Sequence, residues 1–211
     1  MAVTYSQNGV IVKPTGFDVI GGKKYKTVKM PDGKVWMAEN LDFKFCNIGG
    51  SGTPTTPNAW YYNNDETTYG WNGYKCGLLY NWYAVKVLND NRSELCPGWH
   101  VPNTTDYNDL ASIVSDLSTA GTKLKALDGS AGANWPSGWN GTDNYGFGVL
   151  PCGNYNMGVF YVLGSYCDFW TIYEESTNNA RSKVFSKESR IASGLNPKVN
   201  GYSLRLVRDA T

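Results

Sequence analysis

The chain has 211 residues, a net charge of +1 and 14% aromatic residues, which is room for one large domain or two small ones. Its longest apolar run, Val159–Leu163, falls far short of the ~20 residues that cross a membrane. The aromatic content excludes an intrinsically disordered chain, and the balanced charge gives no indication of nucleic-acid binding. The 24 glycines and 8 tryptophans favour a loop-rich fold held together by buried rings.

The N-terminal residues 1–16 are predicted to form an extended arm that precedes a single domain at 17–211. Within the arm, Val10–Val12 has the apolar, β-branched character of a short strand. The first nine residues carry neither a basic nor an apolar segment, so we expect no signal peptide in this chain. The five cysteines, an odd number without a Cys-x-x-Cys pair, fit folding in a reducing cytoplasm better than a disulfide scaffold.

A hairpin follows the arm, in which Tyr25–Met30 and Val35–Met37 are strands joined by the turn Pro31–Gly33. Proline presets φ in such a turn, and glycine accepts the positive φ that closes it. Residues 47–75 are dominated by Gly, Thr, Asn, Pro and Tyr, which predicts a long ordered loop. A first helix is predicted at Leu78–Leu88.

A second helix has stronger signals. Asn103 can cap its N-terminus, and Asp106 stands three residues later, as in a capping box. The apolar residues that follow at helical spacing are Tyr107, Leu110, Ala111, Val114 and Leu117. After Gly121 the pattern returns to loops and short strands, and the strands are expected at Gly146–Leu150, Val159–Leu163 and Tyr202–Val207. Two short helices in a loop-rich β frame predict an α+β fold, with the helices segregated from a small antiparallel sheet.

Enzyme signatures are missing from the sequence, so we expect no catalysis, no cofactor and no bound metal. The single histidine, His100, excludes sites that need two or three imidazoles, and there is no GxSxG elbow, P-loop or EF-hand loop. His100 directly precedes the second helix, where packing or capping is favoured over catalysis. Glu174 and Glu175 are adjacent and would face opposite sides of a strand, which does not suit a glycosidase pair.

The C-terminal part of the chain carries a local excess of positive charge. From Asn178 onward there are seven basic and two acidic side chains. A solvated face is the preferred interpretation, and a surface for anionic ligands such as acidic glycans is the alternative. Aromatic residues do not alternate with these basic residues, which disfavours nucleic acid as a partner.

Seven sequence phrases stand out in chain order. They are Tyr25–Lys29, Trp36–Leu41, Gly77–Trp82, Cys96–Pro102, Thr142–Phe147, Phe169–Trp170 and Asn200–Asp209. Together they resemble the Fibrobacter succinogenes major paralogous domain over about residues 18–209. This resemblance implies a C-type lectin-like fold, with two helices flanking a small sheet, paired chain ends and long loops.

The sequence departs from the calcium-dependent lectins of that fold. Their Glu-Pro-Asn or Gln-Pro-Asp triplet is missing, and Gly73 and Gly141 stand where the Trp-Asn-Asp motif has its carboxylate. Calcium-mediated sugar binding is therefore not expected. Formylglycine-generating oxidases share the fold, but their paired active-site cysteines have no convincing counterpart here.

A looser resemblance links residues 164–200 to the variable proteins of diversity-generating retroelements. In those proteins, mutagenesis of template adenines, typically in AAC codons, diversifies a C-terminal stretch of a C-type lectin-like domain. The residues here that such codons can encode, and that the resemblance implies as ligand contacts, are Tyr166, Cys167, Asp168, Ile172, Tyr173, Ser182, Ser186, Ser189, Ile191, Ala192 and Leu195. We expect this stretch to be exposed, and an unpaired Cys167 would have no structural role there. Diversification of its codon would explain its presence. These amino acids are also common in ordinary loops, so a fixed binding domain stays open.

The resulting hypothesis is a non-enzymatic binding protein of a phage or bacterium, diversified by a retroelement. Its ligand would be a cell-surface protein or a glycan, with no nucleic acid and no membrane insertion. We expect it on a phage virion, docked to the tail through the arm, or, if the chain is truncated, on a bacterial cell surface. The alternatives are a fixed bacterial surface domain that binds glycans and, ranked last, an oxidase of the formylglycine-generating type that uses Cys152 or Cys167.

Overall fold

The computed structural model describes residues 16–116, 118–127 and 134–209. The predicted arm, except for its last residue, lies outside these ranges together with its strand at Val10–Val12, and so does Leu117 of the predicted apolar stripe. The described residues form a mixed α/β domain with several small sheets and few helices.

The strands of the described residues are β1 (Gly16–Ile20), β2 (Lys23–Lys29), β3 (Val35–Met37), β4 (Asn47–Ile48), β5 (Asn58–Trp60), β6 (Leu79–Tyr80), β7 (Asn154–Asn156), β8 (Val159–Tyr161), β9 (Cys167–Glu174), β10 (Asn179–Phe185), β11 (Ala192–Pro197) and β12 (Val207–Arg208). Their α-helices are α1 (Glu66–Tyr69), α2 (Trp82–Asp90), α3 (Arg92–Leu95), α4 (Thr104–Val114) and α5 (Ala120–Leu124). The sheet orders are β1-β2-β3-β12, β11-β10-β9, β4-β5-β6 and β7-β8. Within the described ranges, no helix has the length and apolar character needed to span a bilayer.

The hairpin predicted near the N-terminus is confirmed. β2 and β3 pair in antiparallel register with Val28 opposite Trp36, and the turn between them holds Gly33 at a φ of 88°. The Gly33 amide donates to the carbonyl of Met30 at 2.9 Å, which closes the turn. On its other side β3 pairs with β12, so the first and last described strands belong to one sheet.

The capping box predicted for the second helix is confirmed at α4. Asn103 Oδ1 accepts from the Asp106 amide at 2.9 Å, and Asp106 Oδ2 accepts from the Asn103 amide at 2.9 Å. The described members of the apolar stripe are buried, as their helical spacing requires: Tyr107, Leu110, Ala111 and Val114.

The first helix begins later than the predicted Leu78–Leu88. The start of that segment forms β6 instead, because Tyr80 exchanges two backbone hydrogen bonds with Tyr202, at 2.8 and 3.0 Å. α2 then starts where Asn81 caps it by accepting from the Ala84 amide at 3.0 Å. The apolar run at the start of this segment fits a helix and a strand equally well, and the long-range pairing with Tyr202 makes it a strand.

Regular structure also occupies the loop predicted for residues 47–75, which contains β4, β5 and α1. β5 is buried and pairs with β6, a contact that local composition does not reveal. Two further strand predictions are partly right, because Val159–Leu163 contains β8 and the end of Tyr202–Val207 enters β12. The strand predicted at Gly146–Leu150 is wrong, because only Val149 pairs there, in an isolated bridge with Lys125.

Buried aromatic side chains form the centre of the domain. Six of the eight tryptophans are at most 3% exposed. Trp82 and Trp170 belong to one apolar cluster that includes α2, whereas Trp36 and Phe169 belong to a second cluster that includes α4. β9 contributes to both clusters, so it is anchored from two sides.

Candidate functional site

The sheet of β9, β10 and β11 holds most of the residues predicted to contact a ligand. β10 lies in the centre, with Lys183 opposite Phe169 of β9 and Arg181 opposite Leu195 of β11. Phe169 and its neighbour Trp170 point to opposite faces of the sheet, and both are fully buried. Both faces of the sheet are therefore covered at this end. A strand buried on both faces lacks the polar–apolar alternation in sequence by which a half-exposed strand is predicted.

Polar contacts fix this covered end against the rest of the domain. The Trp170 indole donates to the carbonyl of Tyr80 at 2.8 Å. Lys183 Nζ donates to Asn108 Oδ1 of α4 at 2.9 Å and to Ser193 Oγ at 3.1 Å. These satisfied, buried hydrogen bonds make the covered end a rigid base for the remainder of the sheet.

A β-bulge separates the covered end from an exposed one. The register of β9 on β10 shifts between Ala180 and Ser182. Within the bulge, the Ile172 amide donates to the carbonyl of Pro102 at 3.0 Å. Bulges re-aim side chains, and beyond this one Tyr173 is 50% exposed.

Tyr173, Glu175, Arg181 and Leu195 form what we call the sheet-end surface. Arg181 lies opposite Leu195, which is 50% exposed, and is near enough to Tyr173 to interact with it electrostatically. Arg181 Nε donates to Glu175 Oε2 at 2.6 Å, and this hydrogen bond raises the pKa of Arg181 and lowers that of Glu175. The surface thus offers an aromatic ring, an alkyl side chain and an ion pair.

The structure divides the eleven predicted ligand contacts by exposure. The exposed residues are Tyr173, Ser189 and Leu195, and the half-buried ones are Tyr166, Ile172 and Ala192. Tyr173 and Leu195 both belong to the sheet-end surface, whereas Tyr166 and Ser189 lie toward the covered end. The Ile172 side chain packs against the cluster that includes α2. The prediction therefore identified two members of one surface together with residues that lie apart from it.

Five of the predicted ligand contacts are buried, each at most 8% exposed: Cys167, Asp168, Ser182, Ser186 and Ile191. Cys167 is fully buried in the cluster around α4, so the expectation of an exposed thiol there is wrong. Ser182 Oγ accepts from Asn196 Nδ2 at 2.9 Å within the sheet. Because these side chains face the interior, a macromolecular ligand cannot reach them in this fold.

Asp168 is a carboxylate inside the protein. It is 5% exposed, and Asn154 Nδ2 donates to its Oδ2 at 2.9 Å. Burial raises the pKa of Asp168 to about 6, and the hydrogen bond from Asn154 only partly opposes that rise. A charged Asp168 therefore lowers the stability of the folded state at neutral pH.

A second exposed surface, on the hairpin of β7 and β8, was missed by sequence reasoning. Tyr155 and Phe160 pack with Trp60, so the other face of the hairpin carries the cross-strand pairs Asn154–Tyr161 and Asn156–Val159. We call these four residues the hairpin surface. Three of them, Asn154, Asn156 and Tyr161, border a groove of about 350 Å³ together with Met157 and Val162. The signals that could have found it are the polar–aromatic alternation of Asn154–Asn156, the turn residues Met157-Gly158, and the apolar run that starts at Val159.

Three of the sequence phrases quoted above meet around Arg205, which is fully buried. Its Nε donates to Asn40 Oδ1 at 2.9 Å, Nη2 donates to the carbonyl of Gly148 at 2.9 Å, and Nη1 donates to the carbonyl of Phe147. Asp143 lines the adjoining cavity of about 230 Å³, and burial raises its pKa to about 6. Arg205 acts here as a structural link between distant segments.

His100 contacts the capping box of α4. Its Nε2 lies 3.7 Å from Asp106 Oδ2. Burial acts to raise the pKa of Asp106, but hydrogen bonds from His100, Lys34 and Asn103 hold it well below its usual range. This placement agrees with the packing or capping role favoured for His100. Among the residues that the structure covers, no group of three or more His, Cys, Asp or Glu side chains is arranged to hold a metal ion.

The protein is thus a mixed α/β domain with a small exposed patch at one end of a sheet whose other end is buried. The model of the Fibrobacter succinogenes major domain matches residues 30–208. The chain therefore belongs to the Fibrobacter succinogenes major domain family. Comparison with curated proteins and with solved structures gave no match.

Proposed function

We propose that this protein is a non-enzymatic binding protein that contacts a cell-surface protein or glycan through the sheet-end surface. The observation that carries the proposal is the exposure of Tyr173 and Leu195, each 50%, beside Arg181 on a sheet whose other end is buried. Tyrosine and arginine are frequent binding hot spots, because they supply large contact area and directed hydrogen bonds. A rigid base beneath them lowers the entropy lost on binding.

The scaffold is, in this proposal, C-type lectin-like. Two features support it. One is the pair of longest helices described, α2 and α4, and the other is the sheet that holds both the first described strand, β1, and the last, β12. Several short sheets with long connections agree with such a layout.

Diversification by a retroelement would act on the exposed positions. Substitutions at exposed sites usually change stability by less than about 0.5 kcal/mol, whereas enlarging a packed side chain costs about 1–3 kcal/mol. Burial thus narrows the candidates for variation from eleven positions to the six that are exposed or half-buried. Tyr173 and Leu195 remain the leading candidates.

The location follows from the same proposal. A diversified binding protein of this kind would act on a phage virion, docked through the arm at residues 1–16, or on a bacterial cell surface. Immunogold labelling of virions and of cells distinguishes the two locations. Label found on neither would remove the support for a surface-binding role.

A fixed glycan-binding domain is the second candidate function, and the hairpin surface favours it. The side-chain amide of Asn156, beside the half-exposed Tyr161 ring, is a group that suits hydroxyl-rich ligands. The oxidase alternative ranks below both candidates. Cys152 and Cys167 are fully buried, and burial raises the pKa of each thiol, which disfavours the reactive thiolate.

Matched surface variants test the two candidates against each other. Fluorescently labelled protein is applied to a glycan array and to intact bacteria from the source population, and binding is quantified for Tyr173→Ser, Leu195→Ser and Tyr161→Ser. The proposal predicts a loss of roughly thirtyfold, or about 2 kcal/mol, for the first two variants and little change for Tyr161→Ser. The reverse pattern would move the site to the hairpin surface and overturn the proposal.

A further inference from the structure

Three of the five cysteines lie close together in the interior. Cys76, Cys152 and Cys167 are each at most 1% exposed, and all five cysteines are free thiols in this structure. The other two lie elsewhere: Cys96 belongs to the cluster that includes α2, and the half-buried Cys46 packs against that cluster. The five cysteines therefore comprise one local group of three and two thiols that lie apart from it.

Within the group, Cys76 and Cys152 are direct neighbours. They share a small apolar cluster with Ala126 and Leu150. The Asn40 amide nitrogen donates to the carbonyl of Cys76 at 3.0 Å and lies 3.6 Å from Cys152 Sγ, so one side chain contacts both residues. The Cys76 and Cys152 side chains are also close enough to interact electrostatically.

Cys167 has different partners. It packs in the larger cluster around α4 and lies outside the small cluster that Cys76 and Cys152 share. The geometry thus selects one pair out of the three thiols in the group.

We propose that Cys76 and Cys152 form an intramolecular disulfide when the chain folds in an oxidising compartment. The oxidant is a disulfide compound, such as oxidised glutathione or a protein disulfide. One cysteine thiolate attacks it and releases one reduced thiol, giving a mixed disulfide; the second thiolate then displaces the other. The two cysteine thiols lose two protons and two electrons, and the oxidant becomes two thiols.

The bond would join two segments that are distant in sequence. Cys76 lies in the connection between α1 and β6, and Cys152 lies just before β7. Closing the long loop between them restricts the unfolded chain and so stabilises the folded one. Because burial raises the pKa of the Cys152 thiol, the bond forms while the chain is folding and the thiols are still accessible.

Thiol counting tests the proposal. The full chain is unfolded, reduced and refolded with reduced and oxidised glutathione, and its remaining thiols are alkylated in denaturant and counted by intact mass. The expected count falls from five alkylated thiols in the reduced control to three. Peptide mapping then identifies the pair. Trypsin leaves Cys152 and Cys167 on one fragment, since no Lys or Arg separates them, so chymotrypsin is added to cut after Tyr161.

Alanine variants provide the matched controls. Cys76→Ala and Cys152→Ala should each keep all four remaining thiols alkylatable, whereas Cys167→Ala and Cys96→Ala should each retain the bond and show two. Near-ultraviolet circular dichroism checks that every variant folds. The oxidised wild type should unfold at a higher guanidinium concentration than the reduced form, and the double variant at 76 and 152 should show no such redox shift. Five alkylated thiols after oxidative refolding, or a linkage through Cys167, would overturn the proposal.

Discussion

Replacing Asp168 by Asn should stabilise the protein at neutral pH. The carboxyl is 5% exposed, and burial raises its pKa from the ordinary 3.8 to about 6. That difference corresponds to about 3 kcal/mol of lost stability whenever the group is charged in the folded state. Asparagine keeps the shape and can still accept from Asn154 Nδ2, so the variant should recover about 1–3 kcal/mol at pH 7.

The sign of the pH dependence follows from proton binding. Between about pH 4 and pH 6 the folded chain keeps a proton on Asp168 that the unfolded chain has released. This contribution to stability is therefore complete below about pH 4 and is lost as the pH rises through about 6. Asp168→Asn should match the wild type at the acidic end and exceed it at pH 7.

The assay is guanidinium unfolding followed by tryptophan fluorescence, repeated across this pH range. Asp65→Asn is the control of opposite sign. A hydrogen bond from the Thr68 side chain lowers the pKa of Asp65, so its charge stabilises the fold above the ordinary pKa of 3.8, and this contribution is lost as the pH falls below that value. The series for this control therefore extends down to about pH 2, where Asp65→Asn should match the wild type, and the variant should be the less stable of the two at neutral pH. If the difference between Asp168→Asn and wild type is independent of pH, or if the variant is less stable at pH 7, the reasoning about the buried charge is refuted.

Three further predictions use the same unfolding assay. Arg205→Met should destabilise the protein by about 3–5 kcal/mol, because it leaves the buried acceptors of the guanidinium without a donor. Asn103→Ala should cost about 1 kcal/mol through loss of the α4 capping box. Tyr173→Ser should change stability by less than about 0.5 kcal/mol, whereas Ser182→Tyr, at a fully buried position, should cost about 1–3 kcal/mol. An Arg205→Met variant as stable as the wild type would contradict the structural role of Arg205, and an equally stable Asn103→Ala variant would contradict the capping role of Asn103. Equal losses of stability for Tyr173→Ser and Ser182→Tyr would contradict the division of these positions into exposed and buried.

Elements with local signals could be predicted from sequence. The capping box of α4 lies within four residues, from Asn103 to Asp106, and the hairpin of β2 and β3 is set by its own turn. The start of α2 was misplaced because β6 depends on Tyr202, a partner far along the chain. Local chemistry thus predicts caps and turns, while strand pairing at long range decides which competing pattern prevails.

The candidate site was predicted only in part for a related reason. Tyr173 and Leu195 were identified by the amino acids they are, but their proximity depends on the register of β10 with β11 and on the bulge in β9. Burial of Ser182 and Cys167 comes from helices and strands distant in sequence, which residue type cannot indicate. The hairpin surface was missed because its two strands are only three residues long.

Sequencing the last third of this gene across the source population is the decisive test of diversified binding at the sheet-end surface. We expect substitutions concentrated at the codons of Tyr173 and Leu195 and their exposed neighbours, with adenines at the matching positions of a nearby template copy. We also expect the codons of the buried Cys167 and Ser182 to stay constant. A uniform sequence through residues 164–200, or variation spread equally over buried and exposed codons, would contradict diversified binding at the sheet-end surface.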